Sequence, residues 1–250
     1  MSDALDFGGE FAWQPSQETF EQANLTRFIR RHGLVSYDQL MERSTQDVAW
    51  FTEAVLNFLD IRFYEPYQQV VDLTHGIQLP RWCVGGKMNI IHNCLDKYMG
   101  TEVEDRPAVI WEGEEGHDRR LTYRQLYQQV NKAAGALRTL GLGKGDPIGI
   151  FMPMIPETVI ALLAIAKIGA VIVPLFSGYG AGAVATRLKD TQARALFTVD
   201  GFFRRGKPVE VKPIADEAAQ QLPDLQHMIV FDRAQRAVHM QPGRDHWWHE

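Results

Sequence analysis

Four short apolar runs, at 148–152, 170–175, 195–199 and 228–231, are separated by stretches with helical patterning near 156–168, 182–190 and 213–221. No other feature constrains the fold as much. A helical crossover of this length returns the chain to the same edge of a sheet, so the strands it joins run parallel. Continuous apolar strands also need cover on both faces. The expectation is an α/β fold with a mostly parallel β-α-β sheet layer. Just before it, 108–111 and 120–122 read as strands around a turn at 113–116, and a Thr122-x-x-Gln125 capping box opens a helix that Gly141 ends.

The first hundred residues read differently. Ser36 and Gln39 form a second capping-box pattern, and Val48, Phe51, Val55, Phe58 and Leu59 share one helix face. A helical N-terminal region over 1–100 therefore leads into an α/β region over 101–250. The segment 79–89, punctuated by Pro80, Gly85 and Gly86, connects the two through tight turns, and a short helix follows from about 90 to 98.

Charge and composition narrow the function. A net charge of -5 and a pI near 5.9 argue against nucleic acid or an anionic membrane as partner, so an anionic ligand would need a local basic cluster. The apolar stretch 159–176 is interrupted by Lys167, Gly169 and Pro174, and reads as a buried helix and strand instead of a membrane span. Residues 1–9 carry Asp3 and Asp6 with no basic region and no apolar run after them, so no secretory signal is expected. The two cysteines, Cys83 and Cys94, lack metal-ligand spacing, and a cytoplasmic setting follows as the simplest expectation.

Two segments carry chemistry. The FSGYGAGA segment at 176–183 follows a predicted strand and opens a helix, where backbone N–H groups favour a phosphate. Gly178, Gly180 and Ala183 fit a dinucleotide fingerprint, with Asp200 at the end of the next strand as the acid for a ribose hydroxyl, which would suit an NAD-dependent oxidoreductase. A ligand-free strand-to-helix turn fits the same glycines. The GFFRRGK segment at 201–207, with Lys212 beyond it, also follows a strand. Arg204 and Lys207 could hold two phosphate groups, although a solvated loop accounts for the same charges. Glu112, Glu114 and Glu115 fall in a polar hairpin turn where solvation explains them, and His246 with His249 lacks the further ligands a metal site needs.

The WCVGGKMN motif at 82–89 and NCLD at 93–96 resemble acetyl-CoA and propionyl-CoA synthetases, AMP-forming members of the adenylate-forming superfamily. AVIWEG at 108–113, LTY at 121–123, MPMIPE at 152–157, IGA at 168–170, the Gly-rich loop and the basic loop continue the resemblance in the family's order. It implies an α/β synthetase domain of which 101–250 is the first part. The implied reaction joins a carboxylate to ATP, with magnesium, and then passes the acyl group from AMP to CoA. Gly178, Arg204 and Lys207 inherit contacts to the CoA nucleotide, which reassigns the glycine fingerprint from NAD to CoA.

Two departures stand out. The family's GGFS reads SGYG at 177–180, and its RAGR reads RRGK at 204–207, where lysine gives up arginine's bidentate fork. The resemblance also puts the ATP-phosphate loop, the acyl pocket and the catalytic lysine beyond Glu250. No catalytic residue or metal ligand is therefore expected within these 250 residues, which read as an N-terminal portion inactive alone, or as a non-catalytic CoA- or partner-binding module. A complementary C-terminal half, or self-association through an exposed sheet edge, is the expected partnership.

Overall fold

The computed structural model describes residues 13–250, and the stretch read for a secretory signal lies outside them. Two compact units divide between Lys87 and Met88.

In the first unit, helices α1 (Gln17–Gln22), α2 (Asn24–Arg31), α3 (Tyr37–Gln46) and α4 (Val48–Phe58) precede strands β1 (Gln69–Asp72) and β2 (Arg81–Val84). Ser36 caps α3 by accepting from the Gln39 N–H at 3.2 Å, but the Gln39 side chain accepts from Val35 instead of Ser36, so the reciprocal bond is shifted by one residue. Phe28, Leu40 and Ala54 form a small core against which Phe51, Val55 and Phe58 pack, and the ring of Phe28 meets those of Phe51 and Phe58 edge-on. Leu59 lies past the end of α4 and is exposed. The helical expectation holds to Phe58. Beyond it the chain forms the antiparallel β1–β2 pair, with Val71 opposite Trp82.

The second unit opens with α5 (Ile90–Cys94), a 3-10 turn at Asp96–Tyr98 and the antiparallel hairpin β3 (Pro107–Glu112) and β4 (Asp118–Thr122). Then come α6 (Tyr123–Thr139), β5 (Pro147–Phe151), α7 (Pro156–Lys167), β6 (Val171–Pro174), α8 (Ala181–Asp190) and β7 (Ala195–Val199). The hairpin β8 (Gly201–Arg204) and β9 (Lys207–Glu210), helix α9 (Lys212–Ala219), β10 (His227–Phe231) and β11 (Asp245–Trp247) complete it. The sheet is five-stranded in the order β11-β10-β7-β5-β6, and all four of its pairings are parallel.

Right-handed crossovers explain the layers. The step from β5 to β6 runs one way along the sheet, and the steps from β6 to β7 and from β7 to β10 run the other way. Helix α7 therefore lies on one face and α8 with α9 on the opposite one. The contacts agree: α6 packs on α7, and α8 packs on α9. Thr122 and Gln125 form the complete capping box at the start of α6, and Leu126, Val130, Ala134 and Leu137 bury its sheet-facing stripe. Each large side chain so buried contributes about 1.5–3 kcal/mol. Gly141, at φ 76°, follows the helix while the Leu142 N–H reaches back to the Leu137 carbonyl, which satisfies its last turn.

Two residues of the 82–96 motifs have packing roles. Asn89 caps α5 and donates to the carbonyls of Ala166 and Lys167 at 3.1 and 3.0 Å, at the end of α7. Asp96 accepts from Lys167 Nζ at 2.7 Å. Together they pin α5 to α7. No helix among the described residues is long and apolar enough to cross a membrane.

Candidate functional site

Parallel strands deliver their next residues to a common edge, where α/β sheets bind ligands. Here the carboxyl ends of β5, β6, β7 and β10 lead into 153–155, 176–177, 202–204 and Arg233, which line one cavity of about 280 Å³. The β3–β4 turn closes it with Trp111 and residues 112–115.

The glycine-rich loop contributes Phe176 and Ser177. Phe176 is 60% exposed and meets the Tyr179 ring edge-on. Gly178 adjoins the lining, and a Cβ there would lie 2.6 Å from the ring of Phe176, so any larger residue would displace that exposed side chain. Gly180 caps α8, and Ala183 belongs to that helix's first turn.

The basic loop is a hairpin. Arg204 and Lys207 pair across its end, while Arg205 and Gly206 take φ values of 52° and 71° in the two-residue turn. Two successive positive φ values define the turn type that fits the twist of paired strands. Arg204 lines the cavity; Lys207 stands opposite it in register but outside the lining. Neither forms an ion pair within 4 Å among the described residues. The structure thus gathers Arg204 with the loop beside Gly178, and sets Lys207 next to them.

Asp200 and Lys212 go elsewhere. Asp200 is fully buried and its carboxylate accepts the backbone N–H groups of Arg233, Ala234 and Arg236 at 2.8–3.1 Å. These bonds engage both carboxylate oxygens with the backbone after β10, so the acid is committed to the fold and the dinucleotide reading is not favoured. Lys212 is also fully buried. Its ammonium donates to Asp216, Asp245 and the His239 carbonyl at 2.7–2.8 Å, and Arg244 donates to the same two carboxylates. It has no part in the basic loop's surface.

The acidic turn is more than solvated. Glu114 accepts the Gly206 N–H at 3.3 Å, and both oxygens of Glu115 accept from Arg233 at 2.7 and 2.9 Å. The guanidinium of Arg233 lies 5.4 Å from the Trp111 ring centroid and 5.7 Å from that of Phe203. Burial raises the Glu115 pKa, but its own backbone N–H and Arg233 outweigh this and hold the carboxyl below its ordinary range. Trp111 Nε1 donates to the Met154 carbonyl at 2.7 Å, tying the hairpin to the chain after β5. From sequence, Glu114 and Glu115 read as solvated and Trp111 only as part of a family motif, and nothing singled out Arg233. The position of Arg233 just after an apolar strand was the available signal for that residue.

His246 Nε2 lies 3.2 Å from His227 Nδ1, and burial, followed by His246, lowers the pKa of His227. Among the described residues, no group of three or more His, Cys, Asp or Glu is placed to hold a metal ion. A larger groove of about 660 Å³ beside α6 is lined by Leu137, Phe197, Ile229 and Trp248 and by several glutamines. Size favours this groove as a site, but of the sheet strands only β11 leads into it, through Trp248, His249 and Glu250, whereas the chain after the other four converges on the smaller cavity.

Residues 98–248 match the family described as AMP-binding enzyme, and residues 37–94 match the acetyl-coenzyme A synthetase N-terminus. An acetyl-coenzyme A synthetase of Methanothrix soehngenii is 36% identical over 245 residues, covering 95% of this chain and 36% of the relative. One from Streptomyces coelicolor is 46% identical over 170 residues, 68% of this chain and 26% of the relative. In structure, the chain is similar to the acetoacetyl-CoA synthetase from Streptomyces lividans, with a TM-score of 0.84, 29% identity, and coverage of 95% of this chain and 37% of that one. The chain spans about a third of the length of such relatives. By these matches and by its parallel sheet, the chain belongs to the AMP-binding enzyme family, within its acetyl-CoA synthetase type of acyl-CoA synthetases.

Proposed function

We propose that these residues form the N-terminal part of an AMP-forming acyl-CoA synthetase and hold the nucleotide end of CoA. The reaction of the complete enzyme converts acetate or another short-chain carboxylate, ATP and CoA into acyl-CoA, AMP and pyrophosphate. One observation carries the reading: the chain after four parallel strands converges on a cavity bearing Arg204, with Lys207 beside it and the Gly178 loop across from it. Arg204 offers a planar fork to one phosphate and Lys207 a point charge to another. The apolar faces of Phe176 and Trp111 suit a base or the CoA arm.

In this proposal ATP, its magnesium and the acyl group are handled by residues downstream of Glu250, and the 250-residue chain alone does not turn over. A complementary C-terminal half is the proposed partner. The apolar part of the groove beside α6, formed by Leu121, Leu137, Phe197, Ile229 and Trp248, and the single pairing of β11 support such packing, and support self-association as the rival arrangement. Neither nucleic acid nor a membrane is assigned. A cytoplasmic location is proposed, on the free thiols of Cys83 and Cys94 and the substrates named.

Calorimetric titration of CoA into the chain tests the site. Removing two charge-assisted phosphate contacts in the Arg204→Ala, Lys207→Ala double variant should weaken binding by about 100-fold. Unchanged affinity overturns the assignment. Acyl-dependent pyrophosphate release, assayed with the chain alone and mixed with the downstream polypeptide, tests the remainder. Turnover by the chain alone refutes the division of labour.

A further inference from the structure

We infer that Glu115, acting through Arg233, is a positioning residue that holds the basic hairpin in register for its anionic ligand. The inference rests on the CoA-nucleotide reading of Arg204 and Lys207.

The hairpin β8–β9 is a two-stranded ribbon outside the main sheet, and such ribbons are marginal without support. Its supports all come from neighbouring chain. At its base, the Asp200 carbonyl accepts the Val211 N–H, while the Asp200 carboxylate fixes the backbone from Arg233 to Arg236. From that fixed backbone Arg236 reaches Glu210 on β9. Arg233 reaches the other way, between Trp111 of β3 and Phe203 of β8, and ends on Glu115. The turn is held separately, by Glu114 on the Gly206 N–H.

Phe203 immediately precedes Arg204, so the guanidinium stacked on its ring fixes the strand that presents Arg204 to the cavity. Glu115 fixes that guanidinium by accepting from it with both oxygens, in a pair whose side chains are only 18% and 24% exposed. Three acidic side chains, Glu112, Glu114 and Glu115, thus line a cavity assigned to an anion. Coulomb repulsion alone would make them a liability there. Glu114 and Glu115 have a structural use that explains their presence.

That conflict gives the test a sign. If Glu115 acted only as a nearby negative charge, or if Arg233 bound the ligand directly, Glu115→Gln would tighten CoA binding. Positioning predicts the reverse. In the Glu115→Gln protein, CoA affinity should fall about tenfold, and amide hydrogen exchange over 201–210 should accelerate by a similar factor, as expected for one lost charge-assisted pair. The midpoint of global thermal unfolding should stay near that of the unmodified protein. Arg233→Lys keeps the charge and loses the planar fork, and should show the same two changes in smaller degree. In an Arg204→Ala background, Glu115→Gln should have little further effect on CoA affinity, because the group being positioned is gone.

Tighter or unchanged CoA binding in Glu115→Gln overturns the inference, as does unchanged exchange in the hairpin. Loss of binding accompanied by a large drop in the unfolding midpoint also overturns it, because a general fold defect would then explain the loss. If the unmodified protein binds no CoA, the ligand assignment fails. Accelerated hairpin exchange in that case shows that the brace is real while the ligand half of the inference falls.

Discussion

Replacing Lys212 with methionine removes a fully buried ammonium while keeping a side chain of similar length. In the native chain its three protons go to Asp216, Asp245 and the His239 carbonyl, and two cations balance two carboxylates. The variant leaves Asp216 and Asp245 sharing Arg244 alone, with one negative charge uncompensated beside the fully buried Asp245, while Asp216 keeps 23% of its side chain exposed. Removing one partner of a buried pair costs about 3–5 kcal/mol. Because Arg244 still donates to both carboxylates, the low end, about 3 kcal/mol, is expected. For a protein of this size that corresponds to a fall in Tm of about 6–12 °C. Urea unfolding followed by tryptophan fluorescence reads it directly, since Trp247 and Trp248 lie just after Asp245 in and beyond β11. The Lys212→Met, Asp245→Asn double variant restores the charge balance and should lose less than the sum of the two single changes. A loss below about 1 kcal/mol in the single variant, or simple additivity in the double, would refute the view that this network is electrostatically coupled.

Acid should act through the same network. Burial raises the pKa of Asp245, but Arg244, Lys212 and the Gln241 N–H outweigh it; Arg194 chiefly, with the Gly143 N–H, depresses that of Asp146 against its own burial. Both groups sit below their ordinary range when folded, so the stability they contribute is complete above the unfolded value of about 3.9 and disappears as pH falls through the folded values. Denaturation midpoints should decline gently as pH falls through about 6.5, where the unfolded chain protonates His32 and His227 while burial keeps them neutral in the fold, and then fall steeply below about pH 4, less steeply in Lys212→Met; a midpoint unchanged between about pH 4.5 and about pH 3 would contradict the carboxylate part. At the start of α6, Thr122→Ala removes the acceptor for the Gln125 N–H and should cost about 1 kcal/mol, or about 2–4 °C in Tm, measurable by calorimetry.

The parts of the fold that were legible in sequence are those governed by local pattern. Strands β5, β7 and β10 are apolar runs because both faces of the sheet are covered there, edge strand β6 is apolar although only its Val173 is buried, and Thr122 with Gln125 announces α6 through bonds spanning three residues. Illegible parts depend on distant partners. Strand β11 has only three residues and pairs with β10 while Asp245 meets Lys212, 33 positions away. Strands β8 and β9 are four residues each, with Pro208 inside the second, and the charges of Arg204 and Lys207 masked their pairing. At the site, a charge count could not separate Arg204, which lines the cavity, from Lys212, which is sealed in the interior. Nor could it reveal that Glu115 has a cation from the chain after β10, 118 residues on.

The buried Asp200 bears on how such a protein is surveyed by mutation. Its backbone and carboxylate together fasten the hairpin base and the segment that carries both Arg233 and Arg236. An alanine survey scored on lost ligand affinity would rank Asp200 with the true contacts, even though its carboxylate is committed to the backbone after β10. A survey of this cavity therefore has to score each variant for foldedness alongside affinity, or its strongest hit will be a residue that no ligand touches.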